Sequence, residues 1–567
     1  MSAPDSIAHL CETYDEHRDH YQSQNYNETE LRREFLDPLF GALGWDIDNK
    51  QGFADAYKDV VHEDAIKIGG FTKAPDYCFR VGGARKFFLE AKKPALSLKS
   101  DADAAFQLRR YAWSAKLPVS LLSNFREFAV YETRGKPSKN DSAATARTFY
   151  CTYDKLEEKW EEIAGTFSKQ AVLKGSFDKY VDSTRKKRGT AEVDDAFLEE
   201  IERWRDLLAR TFAHHNPGLS VRDLNYAVQK TIDRIIFLRI CEDRGMEDYS
   251  RLSKLQNGAN VWERLLELFR QADDRYNSGL FYFGREKDRP GAPDTLTTEL
   301  KLDDRVIKDI VKHLYYPDSP YEFSVLPADI LGHVYEQFLG KTIRLTKGHQ
   351  AKIEEKPEVR KAGGVYYTPT YIVDYIVGNT LGRHLNGPDP NKPKPMTPAK
   401  AAGLKVLDPA CGSGSFLLGA YQYLLNWYQD RYAKTPGKYS KGKAPKLFQG
   451  RGGEWRLTTT ERKRILVEHI HGVDLDAQAV EVTKLSLLLK VLEGETIQLP
   501  QRNFIYERER ILPDLGNNIQ CGNSLIGTDF YEQEQMSFLD EETRDKINAF
   551  DWHAAFPGIM KRGGFDC

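Results

Sequence analysis

Apolar residues recur every three or four positions in several stretches of the chain, the period of an amphipathic helix. TELRREFLDPLFGAL (29–43) has this period and stops near Gly44. DADAAFQLRRYAWSA (101–115) reads as a second helix, and AFLEEIERWRDLLARTFA (196–213) and LNYAVQKTIDRIIFLRICEDRG (224–245) as longer ones. KFFLEAK (86–92) and VSLLSN (119–124) are short apolar runs of strand type, and RGKPSKNDSAATA (134–146) has the composition of a loop. The pattern divides the chain into a mixed α/β region (1–150), a mostly helical connector (151–360) and a region of alternating β and α (361–567). That alternation is the signature of a doubly wound parallel sheet. NGPDPNKPKPMTP (386–398) and KTPGKYSKGKAPK (434–446) interrupt it as surface loops.

Composition narrows the classes. With 40% hydrophobic and 29% charged residues over 567 positions, the chain can bury several cores, so wholesale disorder is excluded. Lys and Arg total 82 against 84 Asp and Glu, which excludes a globally basic nucleic-acid coat but not a basic cleft. The run RKKR (185–188) reads as a solvated linker, with phosphate contact as the alternative. Seven scattered cysteines without a CxxC pair make neither a disulfide framework nor a zinc ribbon, and fit a reducing cytoplasm. The N-terminus lacks the apolar core of a signal peptide, and no apolar run reaches the roughly 18 residues of a membrane span.

LKVLDPACGSGSFLLGAY (404–421) carries the most chemistry. A short strand ends at Asp408. Gly412 and Gly414 allow a tight turn and close ligand approach, and Ser415 is positioned to cap the following helix. Strand, glycine turn and helix N-terminus cradle a nucleotide-like ligand. This is neither GxGxxG nor a P-loop. HGVDLDAQAVEVTKLSLLL (471–489) reads as strand, acidic tip and helix: Asp474 is placed to accept bonds from ribose hydroxyls, and Asp476 to cap the helix. In IQCGNSLIG (519–527), Asn523 is placed to read an adenine edge. In GGVYYTPTYIVDYIV (363–377), Thr368 caps a helix that begins at Thr368-Pro369.

TP, DPACGSGSF, GVDLD and CGNSL in this order resemble the S-adenosylmethionine-binding half of a DNA amino-methyltransferase. The resemblance implies that Thr368, Asp408, Ala410, Gly412 and Gly414 hold the methionine moiety, Asp474 the ribose, and that Asn523 lies near the adenine. The family's catalytic Asn-Pro-Pro-Tyr or Asp-Pro-Pro-Tyr is absent, and the chain ends at Gly563-Gly564-Phe565-Asp566-Cys567, inside the strand that precedes it in relatives. The expectation is a Rossmann-like domain, partial here, that binds the cofactor without methylating DNA by itself.

The N-terminal region carries a second constellation. Asp76 lies 14 residues before Glu90, and Phe88, Glu90 and Lys92 share one strand face. Two carboxylates on adjacent strands can hold Mg²⁺, which activates water and neutralises an attacked phosphate. Lys92 would orient that water or stabilise the transition state. A bare ExK reads as a surface salt bridge. Gln107 and Tyr111, four apart on a helix, read equally as packing residues. An upstream helix offers another acid, Glu28 or Glu30.

PD…ExK followed by QxxxY is similar to the PD-(D/E)xK nuclease superfamily. The resemblance makes Asp76 and Glu90 metal ligands, Lys92 catalytic, and Gln107 and Tyr111 supports of the site. The three parts together resemble type IIG restriction-modification enzymes, here a fragment or split-gene product. This implies a Mg²⁺-dependent endonuclease fused to an N6-adenine methyltransferase, with double-stranded DNA as partner. A second chain supplying the missing motif and recognition region, and transient homodimers on DNA, fit the same picture. The alternatives are a DNA- and cofactor-binding subunit with a degenerate nuclease domain, and an inactive fragment awaiting a partner chain.

Overall fold

In the computed structural model the described residues are 3–52, 58–62, 67–68, 71–72, 75–81, 84–183, 193–276, 279–285, 292–326, 332, 334, 340–356, 368–389, 394–449, 455–493, 512–532, 543–544 and 547–567. The basic run 185–188 lies outside them, as do 363–367 before Thr368. The chain is mixed α/β and forms two compact units. One comprises Met1–Ala196, Asp243–Tyr249 and His313–Leu326; the other Phe197–Glu242, Ser250–Lys312 and Pro327–Cys567.

The first unit is built on a six-stranded sheet in the order Val60–Val61, Tyr77–Val81, Ala84–Ala91, Val119–Ser123, Glu127–Glu132 and Arg147–Thr152. All neighbours are antiparallel except Ala84–Ala91 and Val119–Ser123. A parallel pair needs a crossover, which the helix Ala102–Ser114 supplies, capped by the Asp101 side chain on the Ala104 N–H. Strand alternation separates two cores. Phe87 and Leu89 pack with Phe79, Trp45, Leu36 and Phe40 on one face. Phe88 packs with Leu108, Tyr111 and Val325 on the other. The predicted N-terminal helix is interrupted: Glu28–Leu31, a π-helical turn Arg32–Leu36, then Asp37–Ala42, with Gly44 at φ +86° past its end. His313–Leu326 backs the crossover helix. Trp113 stacks on Tyr321 at 5.4 Å, and the Glu322 N–H donates to Ser114 Oγ at 2.9 Å.

In the second unit, Val193–His215 and Val221–Asp243 are long helices as their periodicity predicts. The expectation of a mostly helical stretch to 360 misses one feature: Lys341–Leu345 and Ala351–Glu355 form an antiparallel hairpin. Its β-branched Thr342 and Ile343 suit a strand better than a helix. Val406–Asp408, Ile470–Asp474 and Ile519–Cys521 form a parallel sheet in that order. The backbone of Asp566 and Cys567 runs along the free edge of the first strand: the Leu407 N–H donates to the Cys567 carbonyl at 2.8 Å. Among the described residues, no helix is long and apolar enough to cross a membrane.

Gly419 of the helix Ser415–Ala433 lets Thr370–Asn379 approach closely; a Cβ there would stand 2.5 Å from Val373 Cγ1. Gly419→Ala is expected to lower stability by about 1–3 kcal/mol through overpacking. Adding Val373→Ala should recover part of the loss in thermal melts.

Candidate functional site

The first unit gathers its candidate groups at a cleft of ≈ 570 Å³ whose walls include Glu28, Arg32, Asp76, Glu90 and Lys92. Asp76 immediately precedes Tyr77–Val81, and the register Tyr77↔Leu89 sets it beside the end of Ala84–Ala91. Its Oδ2 accepts the Ala91 N–H at 2.8 Å, and its Oδ1 takes Arg32 Nη1 at 3.2 Å. Glu90 shares the face of Phe88 and is 2% exposed. Its Oε1 accepts from Lys92 Nζ at 2.7 Å, while Oε2 is buried without a hydrogen-bond partner.

Burial, reinforced by Asp76, pushes the Glu90 carboxyl up to about 8, with Lys92 pulling the other way. Burial alone would lower Lys92; Glu90, Glu28 and Asp76 outweigh it and hold the ammonium above its usual range. The two early acids separate clearly. Glu30 is exposed and closes a capping box, accepting the Asn27 N–H at 3.2 Å. Glu28 is half-buried in the cleft wall; burial raises its carboxyl, which feels Lys92 and Asp76.

Gln107 Nε2 donates to Tyr111 Oη at 3.4 Å along the crossover helix. Tyr111 is buried, and burial, Glu322 and Glu90 all raise its hydroxyl. Among the described residues no three His, Cys, Asp or Glu side chains gather as a closed metal site. The cleft instead offers two carboxylates, Asp76 and Glu90, one with an unused buried oxygen. That fits a hard cation that keeps open positions for water and phosphate.

In the second unit, Asp408, Asp474 and Cys521 end three parallel strands at one sheet edge. Asp474 organises the loops there: Oδ2 accepts the Gly412 N–H and Oδ1 the Asp476 N–H, both at 2.8 Å. Asp408 Oδ1 accepts the Ala410 N–H at 3.1 Å. Burial raises both acids. Asp476 caps Ala477–Val491 and is ion-paired to Lys356. Gly412 (φ +53°) and Gly414 (φ +86°) occupy left-handed backbone. Asn523 spends its Oδ1 on the Leu525 N–H at 3.1 Å.

Two capping expectations are corrected. Gly414 is the N-cap of Ser415–Ala433 and Ser415 its first residue, with no side-chain cap. The left-handed glycine turns the chain into the helix one residue earlier, which leaves the first-turn N–H groups open to a ligand. Pro369, not Thr368, is the N-cap of Thr370–Asn379, because proline fixes φ where the helix begins. The half-buried Thr368 is thus not spent on capping.

Sequence reasoning missed Thr483, whose Oγ1 donates to the Gly412 carbonyl at 2.8 Å and whose methyl would stand 2.8 Å from a Cβ at Gly414. It also missed Gly472, where a Cβ would stand 2.8 Å from Leu417 Cδ1; a glycine inside a strand was the available signal.

A raised Glu90 carboxyl favours the folded state below its unfolded value near 4.5 and loses that contribution as pH rises through about 8. A divalent cation held there would take the place of the proton. Added Mg²⁺ is therefore expected to raise Tm more at pH 8.5 than at pH 6, and Glu90→Gln to remove both the pH slope and the Mg²⁺ effect in melts.

Residues 327–510 match the family model described as N-6 DNA Methylase, and residues 468–567 the Eco57I restriction-modification methylase. The chain is 36% identical over 554 residues to the type II restriction enzyme and methyltransferase RM.Eco57I of Escherichia coli, covering 97% of this chain and 52% of that relative. It is 23% identical to the putative type II restriction enzyme and methyltransferase RM.MjaORFECS2P of Methanocaldococcus jannaschii, covering 75% of this chain and 38% of the relative. A solved structure titled as the cryoEM structure of a DrdV–DNA complex aligns at a TM-score of 0.30 and 14% identity, over 95% of this chain and 43% of that one. A score that low carries no weight for the fold. The chain spans about half or less of the length of the curated relatives it matches. Over that length its sequence is similar to those of type II restriction enzyme–methyltransferases.

Proposed function

We propose that this protein is a restriction-modification enzyme in which the first unit is a PD-(D/E)xK-like, metal-dependent DNA endonuclease and the parallel sheet of the second a Rossmann-like S-adenosylmethionine site. The observation that carries the nuclease reading is the buried, partnerless Glu90 Oε2 beside Asp76 and Lys92. Asp76 and Glu90 would hold Mg²⁺, with Glu28 behind them. Bound there, the ion supplies water activation and charge neutralisation at a phosphodiester of double-stranded DNA. Lys92, fixed by Glu90, orients the attacking water or stabilises charge on the phosphate. Tyr111, hydrogen-bonded to Gln107, packs behind the strand that presents Glu90.

For the cofactor, Asp474 would accept the ribose hydroxyls and Asn523 meet the adenine edge. Asp408, Ala410, Gly412, Gly414 and Thr368 would hold the methionine moiety, beside a helix N-terminus at Ser415 that has no side-chain cap and would favour a negative charge. When bound, S-adenosylmethionine supplies an activated methyl group. The sequence contains no Asn-Pro-Pro-Tyr or Asp-Pro-Pro-Tyr to hold an acceptor base, so no methyl-transfer step is assigned to these residues.

Plasmid cleavage tests the first half. Wild type is expected to cut with Mg²⁺, and Asp76→Ala and Glu90→Ala to lose cutting while calorimetry shows unchanged S-adenosylmethionine binding. Metal-independent DNA binding without cutting would favour the degenerate-nuclease reading. For the second half, Asp474→Ala is expected to weaken the cofactor about 10- to 100-fold, the loss of a charge-assisted bond of about 1.5–3 kcal/mol. An unchanged Kd would move the ribose role elsewhere.

A further inference from the structure

Arg32 lies four residues after Glu28 and lines the same cleft, yet neither motif includes it. Its guanidinium is held from several sides. Nη1 donates to Asp76 Oδ1 at 3.2 Å, and Nη2 to the Asp76 carbonyl at 3.3 Å and to His62 Nδ1 at 3.0 Å. The guanidinium carbon stands 4.6 Å from the centre of the Tyr77 ring. His62 Nε2 faces the Ile47 carbonyl at 3.2 Å, which assigns the proton to Nε2 and leaves Nδ1 as acceptor. The side chain is 21% exposed, so this is not a screened surface pair.

We propose that Arg32 is an exchangeable counter-ion of Asp76, occupying its carboxylate in the metal-free site and competing with a divalent cation for it. The inference rests on the metal-site reading above. Three observations carry it. First, Asp76 does not need Arg32 for its orientation, because the Ala91 N–H already fixes Oδ2. The guanidinium therefore contributes charge at the oxygen a metal would take. Second, Arg32 keeps other partners when Asp76 is withdrawn: His62 and the Tyr77 face retain it in the cleft. Third, Arg32 opens the π-helical turn, its carbonyl accepting the Asp37 N–H five residues on. Such turns recur at functional sites.

A guanidinium and a doubly charged ion sharing one carboxylate repel, and the repulsion is only partly screened in a half-buried cleft. Metal entry then moves Arg32 off Asp76, and the released cation stays beside the position of an incoming phosphate.

Calorimetric titration of the full chain with Mg²⁺ alone tests this, counting only heat that Glu90→Gln removes. Arg32→Gln keeps hydrogen-bonding capacity without charge and is expected to bind Mg²⁺ about tenfold more tightly than wild type. Arg32→Lys retains the charge and should stay near wild type, a contrast that a merely structural role would not produce. Arg32→Met, neutral and of similar length, repeats the test if the glutamine variant unfolds. Equal or weaker Mg²⁺ binding by a folded neutral variant overturns the competition and makes Arg32 a support for Asp76. No Glu90-dependent heat with any of the proteins overturns the metal site itself, and this inference with it.

Discussion

The Glu90 carboxylate is almost wholly withdrawn from water at the wall of the cleft. It sits on a strand within a six-stranded sheet, under the face of Phe88 and Tyr111, and an isolated charge there would cost several kcal/mol. The neighbourhood is built around that cost. Lys92 takes one oxygen, Asp76 is tied by the Ala91 N–H one residue on, and the cation on Asp76 comes from a different helix. The remaining oxygen has nothing. A fold that buries an acid and leaves half of it unpaired creates a demand for positive charge, which a proton meets below about pH 8 and a metal, in the proposed reading, would meet above it.

The second unit solves the opposite problem. There the acids are organisers, and the backbone is what remains available. Asp474 collects N–H groups from two loops, Thr483 takes the Gly412 carbonyl, and two left-handed glycines bring the chain into a helix whose first turn has no side-chain cap. Asp476, capping its own helix, is tethered by Lys356 next to the hairpin.

Much of this was legible in the sequence because the signals are local. Strand alternation put Phe88 and Glu90 on one face, and helical spacing put Gln107 next to Tyr111. Glycine in a turn after Asp408 foretold the left-handed positions. What the sequence hid was long-range or off by one residue. The Arg32 partners lie 44 and 30 residues away and carry no motif. The capping roles of Ser415 and Thr368 slipped by one position, because a left-handed glycine and a proline each decide where a helix begins. The choice between Glu28 and Glu30 depended on which acid the Asn27 cap consumes. The hairpin at 341–355 lay inside a stretch whose overall pattern was helical.

The first unit is assembled from three separate stretches, the last ending at Leu326. Val325 belongs to the core that holds Phe88 and Tyr111, and Glu322 pairs with Arg110 of the crossover helix. Synthesis proceeds from the N-terminus, and domains fold as units once their parts are available. The ribosome must therefore deliver Phe197–Glu242 and Ser250–Lys312 of the other unit before the first unit can close its core. The strands carrying the candidate hydrolytic groups are made early, but their backing arrives late. For a chain proposed to cut DNA, the order of translation itself delays completion of the cutting surface.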